Sequence, residues 1–271
     1  MKYKLIVSDF DGTLCRSDNR VSEYSKEVIG EYFKRGGVFT LSSGRSIASL
    51  RTHLDEAGLI DRDIPLLGLQ GSVIEDNLTG RIMYENGIGR ETALWFSREC
   101  EKRKVYHHVY TKGEIFSSSP NMFTEMYTRL AGVGMNFVGS VSEFLESSKR
   151  DDFIKILAIT DDKEKTEYGA DIASLGRGGV DIFTSGPYFF ECISSGSGKG
   201  NGLKKIAELL KIDISQTMAF GDEMNDKSMI EAAGVGVAVE NARKELKDIA
   251  DAVAPSNDLD GVAKTIVKYC F

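Results

Sequence analysis

Short apolar runs recur along the chain, each ending abruptly in small or acidic residues. Leu5-Ile6-Val7, Val38-Phe39-Thr40-Leu41 and Pro65-Leu66-Leu67-Gly68-Leu69 carry almost no polar alternation, the pattern of strands buried on both faces of a parallel sheet. Between them the period becomes helical. Val21, Ser25, Val28, Ile29, Tyr32 and Phe33 predict a helix over 22–35 that Gly36-Gly37 stops. A second predicted helix starts near Arg45 and carries Ile47, Leu50, Leu54 and Ala57 to Gly58. After the third strand, segments 72–75 and 81–84 flank Asn77-Leu78-Thr79-Gly80 as a hairpin.

From about residue 84 the texture changes to mixed elements with more exposed polar positions. Helices are predicted over 90–104, 121–131, 141–148 and 163–175. Strands are predicted near 105–110, 114–116, 135–138, 153–160, 180–184 and 188–193. Alternation then resumes: helix 202–210, strand 217–220, helix 225–233, strand 235–239, helix 242–250, an extended piece at 252–254, and a last helix to 269. The predicted fold class is α/β: a doubly wound, Rossmann-like parallel-sheet core of residues 1–84 and 192–271, with an inserted α+β domain at 85–191.

A chain of 271 residues is long enough for two such cores. No window approaches 18 consecutive apolar residues, and the N-terminus runs directly into a core strand without a cleavable apolar segment. The expectation is a cytoplasmic protein without a membrane partner. A net charge of −7 disfavours nucleic acid, because phosphate-backbone affinity comes from clustered Lys and Arg. Cys15, Cys100, Cys192 and Cys270 show no paired spacing, so neither a disulfide framework nor a metal knuckle is suggested, and Cys15 is expected to be a plain thiol.

The first strand ends in Asp9-Phe10-Asp11-Gly12-Thr13. Carboxylates two apart on extended chain project to one side, and Gly12 lets the backbone turn away. Two such charges repel unless a cation sits between them or one holds a proton; alternatively, the pair caps the next helix or faces water. Other segments decide. Leu41-Ser42-Ser43-Gly44-Arg45, the lone Lys199 in Ser197-Gly198-Lys199-Gly200, and Gly221-Asp222-Glu223-Met224-Asn225-Asp226 each fall at a predicted strand end or helix start. Ligands gather there in doubly wound sheets. A P-loop is excluded, since position 193 is Ile and position 200 is Gly.

In this order the four segments resemble the motifs of the haloacid dehalogenase superfamily. The long insertion before the third resembles its Cof-type sugar-phosphatase branch, with a C2-type cap. The resemblance implies a Mg²⁺-dependent phosphatase acting on a small phosphorylated metabolite through an aspartyl-phosphate. A phosphotransferase or mutase on the same scaffold is the alternative, and a catalytically silent phospho-ligand binder a third. Mg²⁺ takes oxygen ligands, with one or two carboxylates and a substrate phosphate oxygen. Asp9 and Asp222 would supply the carboxylates, and the family pattern adds the Asp11 carbonyl. Asp9 would attack phosphorus, and Asp11 would protonate the leaving alcohol and later activate water. Gly12, Ser43, Gly44, Lys199 and Asn225 would cradle the phosphoryl group, with Ser43 at a helix start. Asp226 would orient Lys199 or a metal-bound water.

Other residues are expected to do less. Glu223 is expected to be a solvated charge, and Arg45 to give structural support. Gln70-Gly71 stands where the family usually has Asn-Gly, so Gln70 is given no contact. His53, His107 and His108 lack ligand spacing; each is expected at the surface, with His107 and His108 on opposite faces of their strand. Tyr106, Tyr110, Phe116 and Tyr127 either pack within the inserted domain or touch substrate. That domain is expected to serve as a lid that excludes water and reads the leaving group.

Overall fold

A computed structural model of the chain describes residues 2–186 and 188–271. It divides into two compact units, one formed by residues up to Tyr84 with Ser197–Phe271, the other by Glu85–Gly196. The chain opens with strands β1 (Leu5–Asp9), β2 (Val38–Ser42), β3 (Pro65–Gly68), β4 (Val73–Asp76) and β5 (Ile82–Glu85). The second unit contributes β6 (Tyr106–Tyr110), β7 (Ile115–Ser117), β8 (Asn136–Phe137), β9 (Lys155–Ile159), β10 (Val180–Gly186) and β11 (Phe189–Ser194). Strands β12 (Thr217–Gly221), β13 (Val235–Val239) and β14 (Ala252–Ala254) then return to the first sheet.

That sheet runs β14-β13-β12-β1-β2-β3-β4-β5. It is parallel from β14 to β3, and β4 pairs antiparallel with β3. β1 is the axis of the sheet. Leu5, Ile6 and Val7 are wholly buried, each contributing about 1.5–3 kcal/mol of hydrophobic burial. The chain winds outward from β1 through β2 and β3, and from β12 through β13 and β14 in the other direction. The order therefore reverses between β1 and β12, where the carboxyl ends of a doubly wound sheet open a crevice.

The helix over 22–35 forms as Glu23–Lys34, with the Ser22 side chain accepting from the Ser25 N–H. The one predicted from Arg45 to Gly58 keeps α geometry only over Ile47–Arg51, capped by Ser46. Beyond it the chain tightens into three-residue turns, with Thr52, His53 and Leu54 N–H groups bonding the Ser49, Leu50 and Arg51 carbonyls. Ile47, Leu50, Leu54 and Ala57 are all buried nonetheless, because compact turns satisfy the same apolar spacing.

The second unit is a six-stranded sheet ordered β10-β11-β9-β6-β7-β8. One face packs Phe96, Val109, Val141, Leu145, Phe153 and Ile156 into an apolar core. This unit extends to Gly196, past the expected boundary at 191, because β11 pairs with β10 as far as Ser194. His107 and His108 are buried, which corrects their expected surface placement. Their ring nitrogens find partners on opposite sides of β6: His107 with the Ser97 hydroxyl at 2.7 Å, His108 with the Tyr106 and Tyr110 hydroxyls at 3.1 and 2.9 Å. Tyr106, Tyr110, Phe116 and Tyr127 are buried as well. Among the described residues no helix is long and apolar enough to cross a membrane.

Candidate active site

β1 delivers Asp9 as its last residue, and β12 ends one residue before Asp222. These neighbouring strand ends bring together carboxylates that are 213 positions apart by subtraction of their numbers. Between them Gly12 adopts φ +73°, and a Cβ there would lie 2.5 Å from Asp222 Oδ2, so glycine is required both by conformation and by space. The Thr13 hydroxyl donates to Asp222 Oδ1 at 2.8 Å, and Asn241 Nδ2 donates to the Gly12 carbonyl at 2.7 Å.

Lys199 is the first residue of the helix Lys199–Leu209, which begins earlier than expected from the apolar spacing. The lysine is buried, and its Nζ donates to Asp9 Oδ1 at 2.6 Å and to Asp226 Oδ1 at 2.5 Å. The other Asp226 oxygen accepts the backbone N–H groups of Asp222 and Glu223 at 3.0 and 3.2 Å. Asp226 thus has both oxygens engaged and acts as a brace.

Oxygens of Asp9, Asp222 and Asp226 lie within 4.8 Å of one another. The single ammonium of Lys199 bonds two of these three carboxylates, and negative charge is left over. Burial pushes the Asp9 carboxyl well above the usual carboxylate range; the Asp226 and Asp222 charges push the same way, while Lys199 opposes. Asp222 is raised to about 6, mainly by burial and then by Asp226. Burial works against the charge on Lys199, but Asp226 and Asp9 outweigh it and hold the lysine above its ordinary value. The donor set is all oxygen and its excess charge is negative, which suits a divalent cation. With Asp226 engaged elsewhere, Asp9 and Asp222 are the better placed to hold one.

Ser43 is buried just beyond β2, but it does not start a helix. The helix is capped by Ser46, and the Ser43 N–H donates to the Leu67 carbonyl at 2.9 Å. The Ser43 hydroxyl accepts from the Arg45 N–H at 3.2 Å. Ser43 and the turn at Gly44 follow directly on Ser42, which neighbours Asp9 in the sheet, and the helix begins only at Ile47, after the Ser46 cap.

Three residues do more than their sequence reading allows. Arg45 grips Asp11 with a two-pronged contact, Nε to Oδ2 at 2.8 Å and Nη2 to Oδ1 at 3.0 Å, a pairing for which the planar guanidinium is shaped. The arginine itself was visible directly after Gly44; its reach to Asp11 was not. Gln70 is buried at the end of β3, and its Oε1 accepts from Asn225 Nδ2 at 3.3 Å. Glu223 pairs with Arg243 at 2.7 Å rather than standing alone. The Cys15 thiol is buried and pushed up to about 11, chiefly by that burial, as a plain structural thiol would be.

Carboxylates, a buried lysine and a hydroxyl at the strand ends of a doubly wound sheet define an enzyme of the phosphoryl-transfer kind. A family profile described as haloacid dehalogenase-like hydrolase matches residues 6–266. Phosphatase YwpJ of Bacillus subtilis is 31% identical, with 96% of this chain and 97% of that protein covered. The 5-amino-6-(5-phospho-D-ribitylamino)uracil phosphatase YwtE of the same organism is 27% identical over 96% of each chain. A solved haloacid dehalogenase-like hydrolase from B. subtilis superposes with a TM-score of 0.86 at 29% identity, covering 99% of this chain and 100% of that one. The chain belongs to the haloacid dehalogenase-like hydrolase family, in its Cof-type branch, and is a phosphatase.

Proposed function

We propose that the enzyme hydrolyses a small phosphorylated metabolite, a sugar phosphate or a similar polyol phosphate, with Mg²⁺ as cofactor and Asp9 as nucleophile. The observation that carries this reading is the placement of Asp9: last in β1, 2.6 Å from the Lys199 ammonium, with Asp222 in the same cluster. A phosphate monoester is a dianion, and a bound Mg²⁺ would neutralise charge so that a carboxylate can approach it. Asp9 then attacks phosphorus to form an aspartyl-phosphate, while Lys199 balances charge on the nucleophile and the equatorial oxygens. Asp11 delivers a proton to the leaving oxygen and takes one from the attacking water. Ser43, the backbone of Gly12 and Gly44, and Asn225 hold the phosphoryl oxygens. Residues 85–196 act as the cap. YwtE's name carries a phosphoribityl group, which supports a polyol monophosphate as the substrate class.

The test is phosphate release from a panel of sugar and polyol phosphates with Mg²⁺, and again after chelation. Chelation is expected to reduce the rate by at least about 10²-fold, reversibly. A panel that yields isomerised sugar phosphate without free phosphate would replace hydrolysis by a mutase reaction.

The raised Asp222 carboxyl sets a pH dependence. Held at about 6, it retains a proton that the unfolded chain would release. Its contribution to stability is therefore complete below the usual carboxylate range and is lost as pH rises through about 6. Cation binding requires the deprotonated form. Calorimetric titration is expected to show Mg²⁺ affinity weakening by about tenfold or more per pH unit below that value, since the raised Asp9 carboxyl must release a proton too. Affinity unchanged between pH 7 and pH 5 would remove Asp222 from the metal set.

Arg45 holds the half-exposed Asp11 in one orientation. Arg45→Met is expected to slow alkyl phosphates by about 10- to 100-fold. It should slow p-nitrophenyl phosphate far less, because that leaving group departs without a proton. Equal losses on both substrates would show that Arg45 does not act through Asp11.

A further inference from the structure

The end of β3 holds an unusual backbone. Leu69 and Gln70, neither of them glycine, lie consecutively in the left-handed region at φ 51° and 58°. Side-chain-bearing residues stay in that region only where their surroundings over-determine the conformation, and such places cluster at functional sites. The surroundings here are the motif loops themselves. The Leu69 N–H donates to the Arg45 carbonyl at 2.8 Å, the Gln70 N–H to the Ser43 carbonyl at 3.1 Å, and the Gly198 N–H to the Gln70 carbonyl at 2.8 Å. The side chain adds the fourth tie, through Oε1 to Asn225 Nδ2. Its other end sits over Gly44: a Cβ built there would lie 2.6 Å from Gln70 Nε2.

We propose that Gln70 is a positioning residue of the phosphoryl site, which joins the loops of Ser43, Lys199 and Asn225 and fixes which end of the Asn225 carboxamide faces the Ser43–Gly44 turn. This rests on the reading of that turn and Asn225 as the phosphoryl cradle. The chemistry is directional. Were the Asn225 amide reversed, its Oδ1 would face Gln70 Oε1, acceptor against acceptor, so the bond from Nδ2 holds the nitrogen end toward Gln70, whose own amide lies over Gly44. A phosphoryl dianion needs N–H donors and is repelled by carbonyl oxygens, so an Asn225 free to flip would present the wrong atom part of the time. An apolar side chain of the same length would fill the space at the end of β3. It would leave Asn225 without its orienting acceptor.

The experiment uses the full chain with Mg²⁺ and two readouts, inorganic phosphate binding by calorimetry and steady-state hydrolysis of an aryl phosphate. Gln70→Met is expected to weaken phosphate binding about tenfold and to raise KM by a similar factor, with kcat falling less. Asn225→Ala should do the same. Made together, the two changes should cost little more than either alone, because both remove one oriented donor. Gln70→Gly guards against misfolding, since glycine accepts the left-handed backbone; its melting temperature should match or exceed the parent's while its phosphate binding falls as in Gln70→Met.

Phosphate binding within twofold of the parent in Gln70→Met or Gln70→Gly, or losses that multiply in the double variant, would overturn the proposal. A Gln70→Gly chain that fails to fold would overturn it too, by making the residue structural. If the parent released no phosphate from any ester, the functional reading would fail, and phosphate binding by the variants would still decide the role of Gln70.

Discussion

Asp9→Asn folds, and its turnover falls by about 10⁴-fold or more. The substitution keeps the shape of the side chain, and the amide oxygen can still accept from Lys199, now 2.6 Å away. What it removes is the only atom pair at this position able to attack phosphorus, together with one negative charge from an overcrowded cluster. Burial and the neighbouring carboxylates already push the Asp9 carboxyl well upward, so the charge destabilises the fold, and its loss should leave the melting temperature equal or higher. Activity and stability therefore move in opposite directions, as expected where a site stores unfavourable charge for chemistry. Steady-state rates on an aryl phosphate with thermal melts in the absence of Mg²⁺ check both halves. Beryllium fluoride, which mimics an acyl phosphate on a carboxylate, should inhibit the parent and leave the variant's phosphate site unlabelled. Near-parental rates in Asp9→Asn would end the aspartyl-phosphate reading.

The two metal-facing carboxylates visible in the sequence share a property: the position of each in the fold follows from the strand it ends or follows. Asp9 and Asp222 follow apolar runs, and those runs could only be neighbouring buried strands once the β-α alternation was seen. Lys199 was visible from its glycine flanks, although its place in the first turn of a helix was not, since Gly198, Gly200 and Gly202 contribute nothing to apolar periodicity. The residues that were missed act across loops. Arg45 reaches Asp11 over 34 positions, and Gln70 meets Asn225 over 155; neither separation leaves a period in the chain. The histidines failed for another reason. Strand β6 carries Tyr106-His107-His108-Val109-Tyr110, five consecutive buried residues, and polar rings can be buried there only because Ser97 and the flanking tyrosine hydroxyls satisfy them. Ser97 comes from a preceding helix, and the two tyrosines, though only two residues from His108, satisfy it only because the strand faces them all inward together.

Lys199→Met tests the electrostatic design from the opposite side, because it removes the positive charge and leaves the negative ones. Nζ bonds Asp9 and Asp226, and all three groups are buried. Breaking a buried pair by deleting one partner strands the other charge in a poorly solvating interior, at a cost of about 3–5 kcal/mol. Part of that cost is avoided where a carboxyl can take up a proton, and Asp9, raised already, is the group to do so. For a carboxyl whose folded-state value lies above its unfolded one, stability is present at low pH and lost as pH rises through the folded value. The deficit of Lys199→Met should accordingly be largest near pH 8 and shrink toward pH 5, and added Mg²⁺ should reduce it at neutral pH by supplying charge to Asp9 and Asp222. Turnover should fall by about 10²- to 10³-fold, the usual consequence of losing one charge-stabilising group. Urea melts across pH, with and without Mg²⁺, separate the two effects. A deficit that stayed constant across pH and Mg²⁺ would mean that the lysine contributes packing alone and that the carboxylates are balanced by something other than its ammonium.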